Sequence, residues 1–365
     1  MKIALVHDWL IHMRGGEKVL EAMAELYPDA VIYTLFSDRK KLSPSLKKMR
    51  IVNSFLNLLP GIRKFSRWLL PILPWAIRTI EIPAADLVIS SSHCVAKGVR
   101  IPAGARHIWY CHTPMRYLYG FEGVYFDRYP SILRTLIRAV LSGLRHWDKA
   151  VNGAVDFFIS NSENVRGRIR EYYNRDAAVI YPPLDTEFFK PESTLPGDYY
   201  FIVSAFVPYK RLDIVIEAFN GLDRRLLVAG QGPLEKKYKN LRKSEKISFL
   251  GGVDDAALRK LYAGARAVLF PAFEDFGIVP LEAQACGSPV IALGRGGALE
   301  SVKTGIYFNE QTPEAVKKAV LEFEMKTFDR SEIPGKVAAF DKRHFKDRLA
   351  ACVRRVMQPE FQRGA

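Results

Sequence analysis

The segment Phe270-Pro271-Ala272-Phe273-Glu274-Asp275-Phe276-Gly277-Ile278-Val279-Pro280-Leu281-Glu282-Ala283-Gln284-Ala285-Cys286-Gly287-Ser288-Pro289-Val290-Ile291 decides how this chain reads. An apolar strand ends at Phe270, and a loop follows that carries Glu274 and Gly277. A helix then starts near Pro280, a residue suited to a first helical turn. Gly277 lets backbone approach a ligand closely. The unpaired N–H groups of the helix start favour an anion such as a diphosphate. Glu282 falls in the first helical turns, where a carboxylate can accept both hydroxyls of a ribose. Glu274 sits where it could hold a sugar hydroxyl. Either glutamate alone reads equally well as a helix-terminal charge or a loop carboxylate; the segment as a whole reads as a binding site.

Outward from this segment, short apolar runs alternate with amphipathic stretches of helical length. In the first half the strand candidates are Lys2–Val6, Ala30–Phe36, Asp86–Ser90, His107–Cys111, Asp156–Ser160 and Ala178–Tyr181. In the second half they are Tyr200–Ser204, Arg225–Ala229, Ile247–Leu250, Ala267–Phe270, Pro289–Ala292 and Gly305–Phe308. Such alternation predicts parallel sheets covered by helices on both faces. The pattern restarts after Tyr181-Pro182-Pro183-Leu184-Asp185, where two prolines cannot continue a ladder and make an interdomain hinge. The fold class is therefore α/β, with two Rossmann-like domains facing across a cleft. The first domain is expected over 1–183 and the second over 184–340, and the helical stretch 341–365 is expected to return to the first. Ligands of such sheets bind beyond the carboxyl ends of the strands.

Composition narrows the class. The chain has 365 residues, which suits two domains, and 48% of them are hydrophobic, enough for a core in each. Cys94, Cys111, Cys286 and Cys352 lie far apart and mostly in apolar runs, the pattern of buried thiols in a reducing compartment. No signal-peptide plan and no uncharged apolar stretch of membrane-spanning length is present, so the reading is cytoplasmic. The net charge is +15, and its placement is uneven: between Arg39 and Ile80 there are ten Lys and Arg and no Asp or Glu. The same stretch holds Phe55, Leu56, Leu58, Leu59, Phe65, Trp68, Leu69, Leu70, Ile72, Leu73 and Trp75. Basic and aromatic residues so mixed suit a helix or helical hairpin lying in an anionic membrane interface, here the inner leaflet. A solvated basic face over an ordinary core is the plainer reading. Nucleic acid is not expected, because no recognition motif accompanies the charge.

Four further motifs sit at strand ends. Ser204-Ala205-Phe206-Val207-Pro208-Tyr209-Lys210-Arg211 follows the first strand of the second domain, and a cation here could neutralise a diphosphate leaving group. Arg14-Gly15-Gly16-Glu17-Lys18 opens a helix after the first strand, a turn that can bring N–H groups against a phosphate. The fingerprint G-x-G-x-x-G of dehydrogenases is missing there. Trp109-Tyr110-Cys111-His112-Thr113-Pro114-Met115-Arg116-Tyr117 ends another strand, which aims His112 at the cleft, although a lone histidine is more often structural. Gly230-Gln231-Gly232-Pro233 and Leu250-Gly251-Gly252-Val253 read either as tight turns or as backbone offered to a ligand. The chain has no Asp-x-Asp, no H-E-x-x-H, no Walker A loop and no G-x-S-x-G elbow, and neither Cys111-His112 nor His93-Cys94 has metal-ligand spacing. No metal and no cofactor is expected.

The run Glu274-Asp-Phe-Gly-Ile-Val-Pro-Leu-Glu282, continued by Ala-Gln-Ala-Cys-Gly-Ser-Pro-Val-Ile, resembles the signature of the retaining family 4 glycosyltransferases of GT-B fold. The resemblance covers nearly the whole chain. It implies that Glu274 contacts the donor hexose and Glu282 the ribose diol, with the backbone of Phe276, Gly277 and Ile278 holding sugar and phosphates. Lys210 would take the leaving-group role, beside Arg211. Gly15 and Gly16 match a glycine-rich turn near the donor phosphates, and Gly251 to Val253 a contact of the nucleotide base. His112-Thr-Pro-Met-Arg-Tyr117 is similar to the version in bacterial O-antigen mannosyltransferases, which implies that His112 touches the donor sugar and that Arg116 and Tyr117 serve the acceptor. The implied donor is GDP-mannose, with UDP-sugars and GDP- or dTDP-deoxysugars left open, and the implied acceptor is a lipid-linked oligosaccharide. One departure stands out: where the family carries an Arg in a Ser-Arg-Leu run, this chain has Ser204-Ala205-Phe206. Ala205 cannot bond phosphate, which keeps open a non-catalytic nucleotide- or membrane-binding scaffold.

Overall fold

A computed structural model describes residues 1–65, 69–120, 126, 129–192 and 197–361. Arg67 and Trp68, which belong to the basic segment, lie outside the described residues. The chain divides into two compact units, Met1–Pro183 with Arg343–Ala365, and Leu184–Lys342.

The first unit holds one parallel sheet. Its strands are β1 (Ile3–His7), β2 (Val31–Thr34), β3 (Ile51–Asn53), β4 (Leu87–Ser92), β5 (Arg106–Cys111), β6 (Phe157–Ser160) and β7 (Ala178–Val179), in the order β3-β2-β1-β4-β5-β6-β7. Both faces are covered. Leu5, Ile32, Leu87, Ile89, Ile108 and Tyr110 join one buried cluster, whereas their chain neighbours Ala4, Val6, Tyr33 and Val88 join another. That parity is the period-2 alternation of a strand, and it is why these runs read as apolar throughout. The helix Lys342–Val356 lays Phe345, Leu349, Val353 and Val356 into the first of these clusters, at the spacing of one helical face.

The second unit repeats the plan. Its strands are β8 (Tyr199–Val203), β9 (Arg225–Ala229), β10 (Ile247–Gly251), β11 (Val268–Phe270), β12 (Val290–Leu293) and β13 (Gly305–Phe308), in the order β10-β9-β8-β11-β12-β13. Tyr200, Ile202, Leu226, Val228, Leu269, Ile291 and Leu293 bury against Ile214, Val215, Phe219, Val316 and Phe323 of flanking helices.

The basic stretch 39–80 departs from the expected helix or helical hairpin. It is cut into a helix Pro44–Lys48, the strand β3, a 3-10 turn Phe55–Leu58 and helices Ile62–Phe65 and Leu73–Arg78. Pro60 and Pro71 lack the donor that a continuous helix would need, and Pro44 and Pro74 sit in first turns, where a helix can start but none can run through from before. The three residues of β3 are too short to show alternation, so only pairing with β2 identifies them. Leu42, Leu46, Leu56, Ile62, Leu73 and Ile77 serve the core, whereas Phe55, Leu58, Leu59, Phe65, Ile72 and Trp75 are exposed.

Candidate active site

In the second sheet, β8, β9 and β10 progress to one side and β11, β12 and β13 to the other. The strand order reverses between β8 and β11, the place where open parallel sheets hold ligands. Lys210 follows β8 and Glu274 follows β11, so the two reach each other here: Lys210 Nζ donates directly to Glu274 Oε1. Both side chains are about four-fifths buried (18% and 20% exposed).

The loop after β11 is held by close backbone packing. Gly277 has φ +90°, and a Cβ there would come within 2.8 Å of the Phe270 ring. Gly277 caps the helix Ile278–Ala285, which starts four residues after Glu274. From below, Gly297 N donates to Glu274 O at 2.9 Å, and a Cβ on Gly297 would overlap Phe276. A Cβ on Gly296 would come within 2.5 Å of the Glu274 carbonyl oxygen. Glu282 is buried and accepts a hydrogen bond from Tyr262 Oη at 3.1 Å. Burial, first, and the Glu282 carboxylate, second, push the Tyr262 phenol well above its ordinary pKa, so it remains a donor.

Arg211 takes another partner. It adopts a left-handed backbone (φ +50°), and its guanidinium Nε lies 3.2 Å from Asp213 Oδ1. Gly251 ends β10 with φ +73° and accepts from Gly230 N at 2.7 Å, with Val253 half-buried beyond it. Gly230 and Gly232 pack against Ser204 and Phe206 so tightly that a Cβ would overlap those backbones, and Phe206 N donates to Gln231 O at 2.9 Å. Both glycines are thus required by packing around Ala205, whatever else the turn does.

The first sheet has its own reversal, between β1 and β4. Beyond it lie His7 and Asp8 from β1, His93 after β4, His112 after β5 and the start of the helix Gly15–Leu26. Asp8 is fully buried and accepts four backbone hydrogen bonds, from His93, Cys94, Val95 and Ala96, at 2.8 to 3.0 Å. One carboxylate therefore shapes the whole turn after β4. His112 Nε2 lies 2.8 Å from Ser91 Oγ, and Asn161 Nδ2 donates to the His112 carbonyl at 2.9 Å. The His7 and His112 rings meet edge to face at 6.2 Å, and a Cβ on Gly16 would touch both. Burial, and then the neighbouring histidines His7 and His93, hold the His112 imidazole well below the ordinary histidine range, so it is neutral near pH 7. Burial lowers His7 likewise, and its Nδ1 finds no hydrogen-bond partner among the described residues. Gly15 has open space where a Cβ would stand. The helix start is tied by Arg14 N donating to Glu17 Oε2 at 3.1 Å.

Each unit thus gathers its own share of the residues singled out from the sequence: Gly15, Gly16 and His112 in one, and Lys210, Glu274, Phe276, Gly277, Ile278 and Glu282 in the other. Arg116 is half-buried. Tyr117 turns inward, its hydroxyl 3.1 Å from both Cys94 Sγ and Met115 Sδ. His7, Asp8, Ser91, His93, Tyr262, Gly296 and Gly297 escaped the sequence reading. His7-Asp8 ends the first strand and was visible as such; the adjacency of β1 and β4, which gives it meaning, was not. Among the described residues no group of three His, Cys, Asp or Glu could hold a metal ion, and no helix is long and apolar enough to cross a membrane.

With this geometry in view, comparisons with known proteins agree on a family. Residues 13–188 match the model of Glycosyltransferase Family 4, and residues 185–335 that of Glycosyl transferases group 1. An uncharacterized glycosyltransferase of Methanocaldococcus jannaschii is 30% identical over 187 residues, 49% of this chain and 52% of that protein. D-inositol 3-phosphate glycosyltransferase of Mycobacterium sp. (strain KMS) is 33% identical over 184 residues, 44% of this chain and 42% of that one. The chain thus spans about half the length of the curated relatives it matches. Among solved structures, sucrose-phosphate synthase from Thermosynechococcus elongatus superposes with a TM-score of 0.72 at 18% identity, over 97% of this chain and 98% of that one. Anabaena HepE in complex with UDP-glucose gives a TM-score of 0.68 at 18% identity, over 97% and 100%. Two family models that between them run from residue 13 to residue 335, on two parallel-sheet units of GT-B fold, place this chain among the group 1, family 4 glycosyltransferases.

Proposed function

We propose that this protein is a retaining hexosyltransferase that needs no metal, with its donor site in the second unit and its acceptor side in the first. The observation that carries the reading is the Lys210–Glu274 contact beside the helix start at Gly277, at the reversal point of the second sheet. A cation and unpaired N–H groups meet the charge of a departing diphosphate, and a carboxylate an atom away can take a sugar hydroxyl. Glu282, fixed by Tyr262, takes the ribose diol. Phe276, Gly277 and Ile278 offer backbone to sugar and phosphates, Gly251 and Val253 to the base, and Gly15 and Gly16 to the phosphates. His112, neutral, contacts the sugar near its reacting carbon. In the reaction the bond from the anomeric carbon to the phosphate oxygen breaks. The acceptor oxygen bonds to that carbon from the same face, and its proton goes to the departing phosphate.

The donor is GDP-mannose in this reading, resting on the His112-to-Tyr117 and Val207-to-Arg211 runs, and the acceptor is a lipid-linked oligosaccharide of surface-polysaccharide, O-antigen-type synthesis. The exposed apolar residues of 39–80 suit a peripheral contact with the inner leaflet. HepE was solved with UDP-glucose, so UDP is the rival base. Ala205 favours the second reading, a scaffold without turnover; in the first reading Arg211, whose guanidinium lies beside Asp213, is the cation that takes the place of the missing one.

Calorimetric titration with GDP, UDP and dTDP tests the proposal, with Glu282→Gln as the control, since Gln can still accept from Tyr262. Binding of GDP alone, lost in the variant, is the expected result. Preference for UDP would reassign the donor, and no nucleotide binding at all would leave the scaffold.

A further inference from the structure

The helix Ser131–Ala150 is buried over only half its length. Leu141, Leu144 and Asp148 reach the core in its C-terminal half. In the preceding turns Ile132 (80% exposed), Leu133, Leu136 (61%) and Val140 face solvent. Ile132, Leu136 and Val140 are spaced four apart and form one stripe. Arg134, Arg138, His146 and Lys149 lie on the other faces, Arg145 donates instead to the Leu118 carbonyl at 2.7 Å, and between 131 and 147 there is no Asp or Glu. The one acid of the helix, Asp148, is buried against Lys97 at 2.8 Å.

A second exposed apolar group packs on the same core. Leu141 and Leu144 share their core cluster with Leu56, Ile62, Leu73 and Ile77, beside which Phe55, Leu58, Phe65 and Trp75 stand exposed among Arg63 and Arg78. Both exposed groups therefore cover the same face of the first sheet. A second copy of the chain would set these cations against their own kind. A surface that is apolar in the middle, cationic around it and empty of exposed acids along the helix complements anionic lipid.

We propose that the N-terminal turns of Ser131–Ala150 insert into the headgroup boundary of an anionic membrane and, with the exposed residues of 55–75, dock the first unit there. The inference deepens the proposed function by naming a lipid contact outside 39–80, and rests on that reading only for its purpose. Flotation with vesicles of phosphatidylcholine, with and without phosphatidylglycerol, tests it without nucleotide. The full chain is expected to float with the anionic vesicles and to be released by salt. Ile132→Ser/Leu136→Ser should lower the bound fraction at least tenfold and Arg134→Gln/Arg138→Gln should lower it on anionic vesicles, both with unchanged nucleotide titration. Both apolar side chains are exposed, so the variant should fold as the parent does. No flotation of the parent, flotation of the apolar variant equal to the parent, or conversion of a dimer to a monomer by that variant would each overturn the inference. Failure of nucleotide binding with flotation intact would instead count against the donor site alone.

Discussion

Replacing Glu274 by Gln should tighten the binding of a nucleoside diphosphate that carries no sugar. The reason is the occupation of Lys210, whose ammonium is committed to the Glu274 carboxylate. A diphosphate must win that cation away and then tolerate a carboxylate left beside it. At 18% and 20% exposure the pair is neither free in water nor sealed. Its strength is then near the upper end for accessible pairs, about 1 kcal/mol. Removing the competitor should strengthen diphosphate binding about fivefold by the same energy. Lys210→Met removes the cation itself, and loss of a charge-assisted hydrogen bond of about 1.5–3 kcal/mol weakens binding by about 10- to 100-fold. The double variant should bind more tightly than Lys210→Met but less tightly than Glu274→Gln, because it removes the carboxylate that repels the diphosphate without restoring the cation. Titration calorimetry with the preferred diphosphate on the four proteins reads all of this. With the sugar attached, Glu274→Gln should lose its advantage, since the hexose contact is gone. If Glu274→Gln weakens the bare diphosphate as much as Lys210→Met does, Glu274 contacts the nucleotide itself and the competition described here is wrong.

Two further perturbations test the supports of the site. Gly277→Ala puts a methyl 2.8 Å from the Phe270 ring at a backbone angle of φ +90°. Strain of about 1–3 kcal/mol is expected, with the loop displaced; a lowered melting temperature together with lost nucleotide affinity is the expected result, and unchanged values for both would refute the role of that close approach. The second concerns pH. His7 and His112 are held neutral in the folded protein, below the ordinary value of 6.5. As pH falls below 6.5 the unfolded chain takes up protons that the folded one refuses, so stability is lost on acidification. The slope is up to about 1.4 kcal/mol per pH unit for each histidine until its folded pKa is reached. Urea midpoints at pH 7.5 and 5.5 should therefore differ less in His112→Gln than in the parent, and equal differences would show that His112 is not the proton-linked group.

The strands and their parallel arrangement were legible because a strand buried on both faces must be apolar throughout, and each of the twelve expected strands matches an observed one with neither end moved by more than two residues. β3 is the strand that was not expected. The strand, loop and helix of Phe270–Ile291 were equally legible, because a glycine before a helix start is a signal in local order. What local order cannot hold is adjacency. Tyr262 lies 20 residues before Glu282, Gly297 folds under Glu274 from the next loop, and Asp8 organises a turn 85 residues away. The sheets bring these residues together only once β1 lies beside β4 and β8 beside β11. The basic stretch 39–80 shows the same limit from the other side. Its composition is that of an interfacial helix, but prolines cut it, β2 recruits three of its residues as a strand, and the two faces of the sheet take part of its apolar side chains as core. The exposed stripe of Ser131–Ala150 was hidden for the converse reason: its apolar spacing is that of any packed helix, and only the folded chain around it decides where burial stops. The sequence by itself determined which residues could do chemistry and which could be buried; the tertiary structure decided which of them meet, because pairing order and burial are properties of the whole chain folded at once.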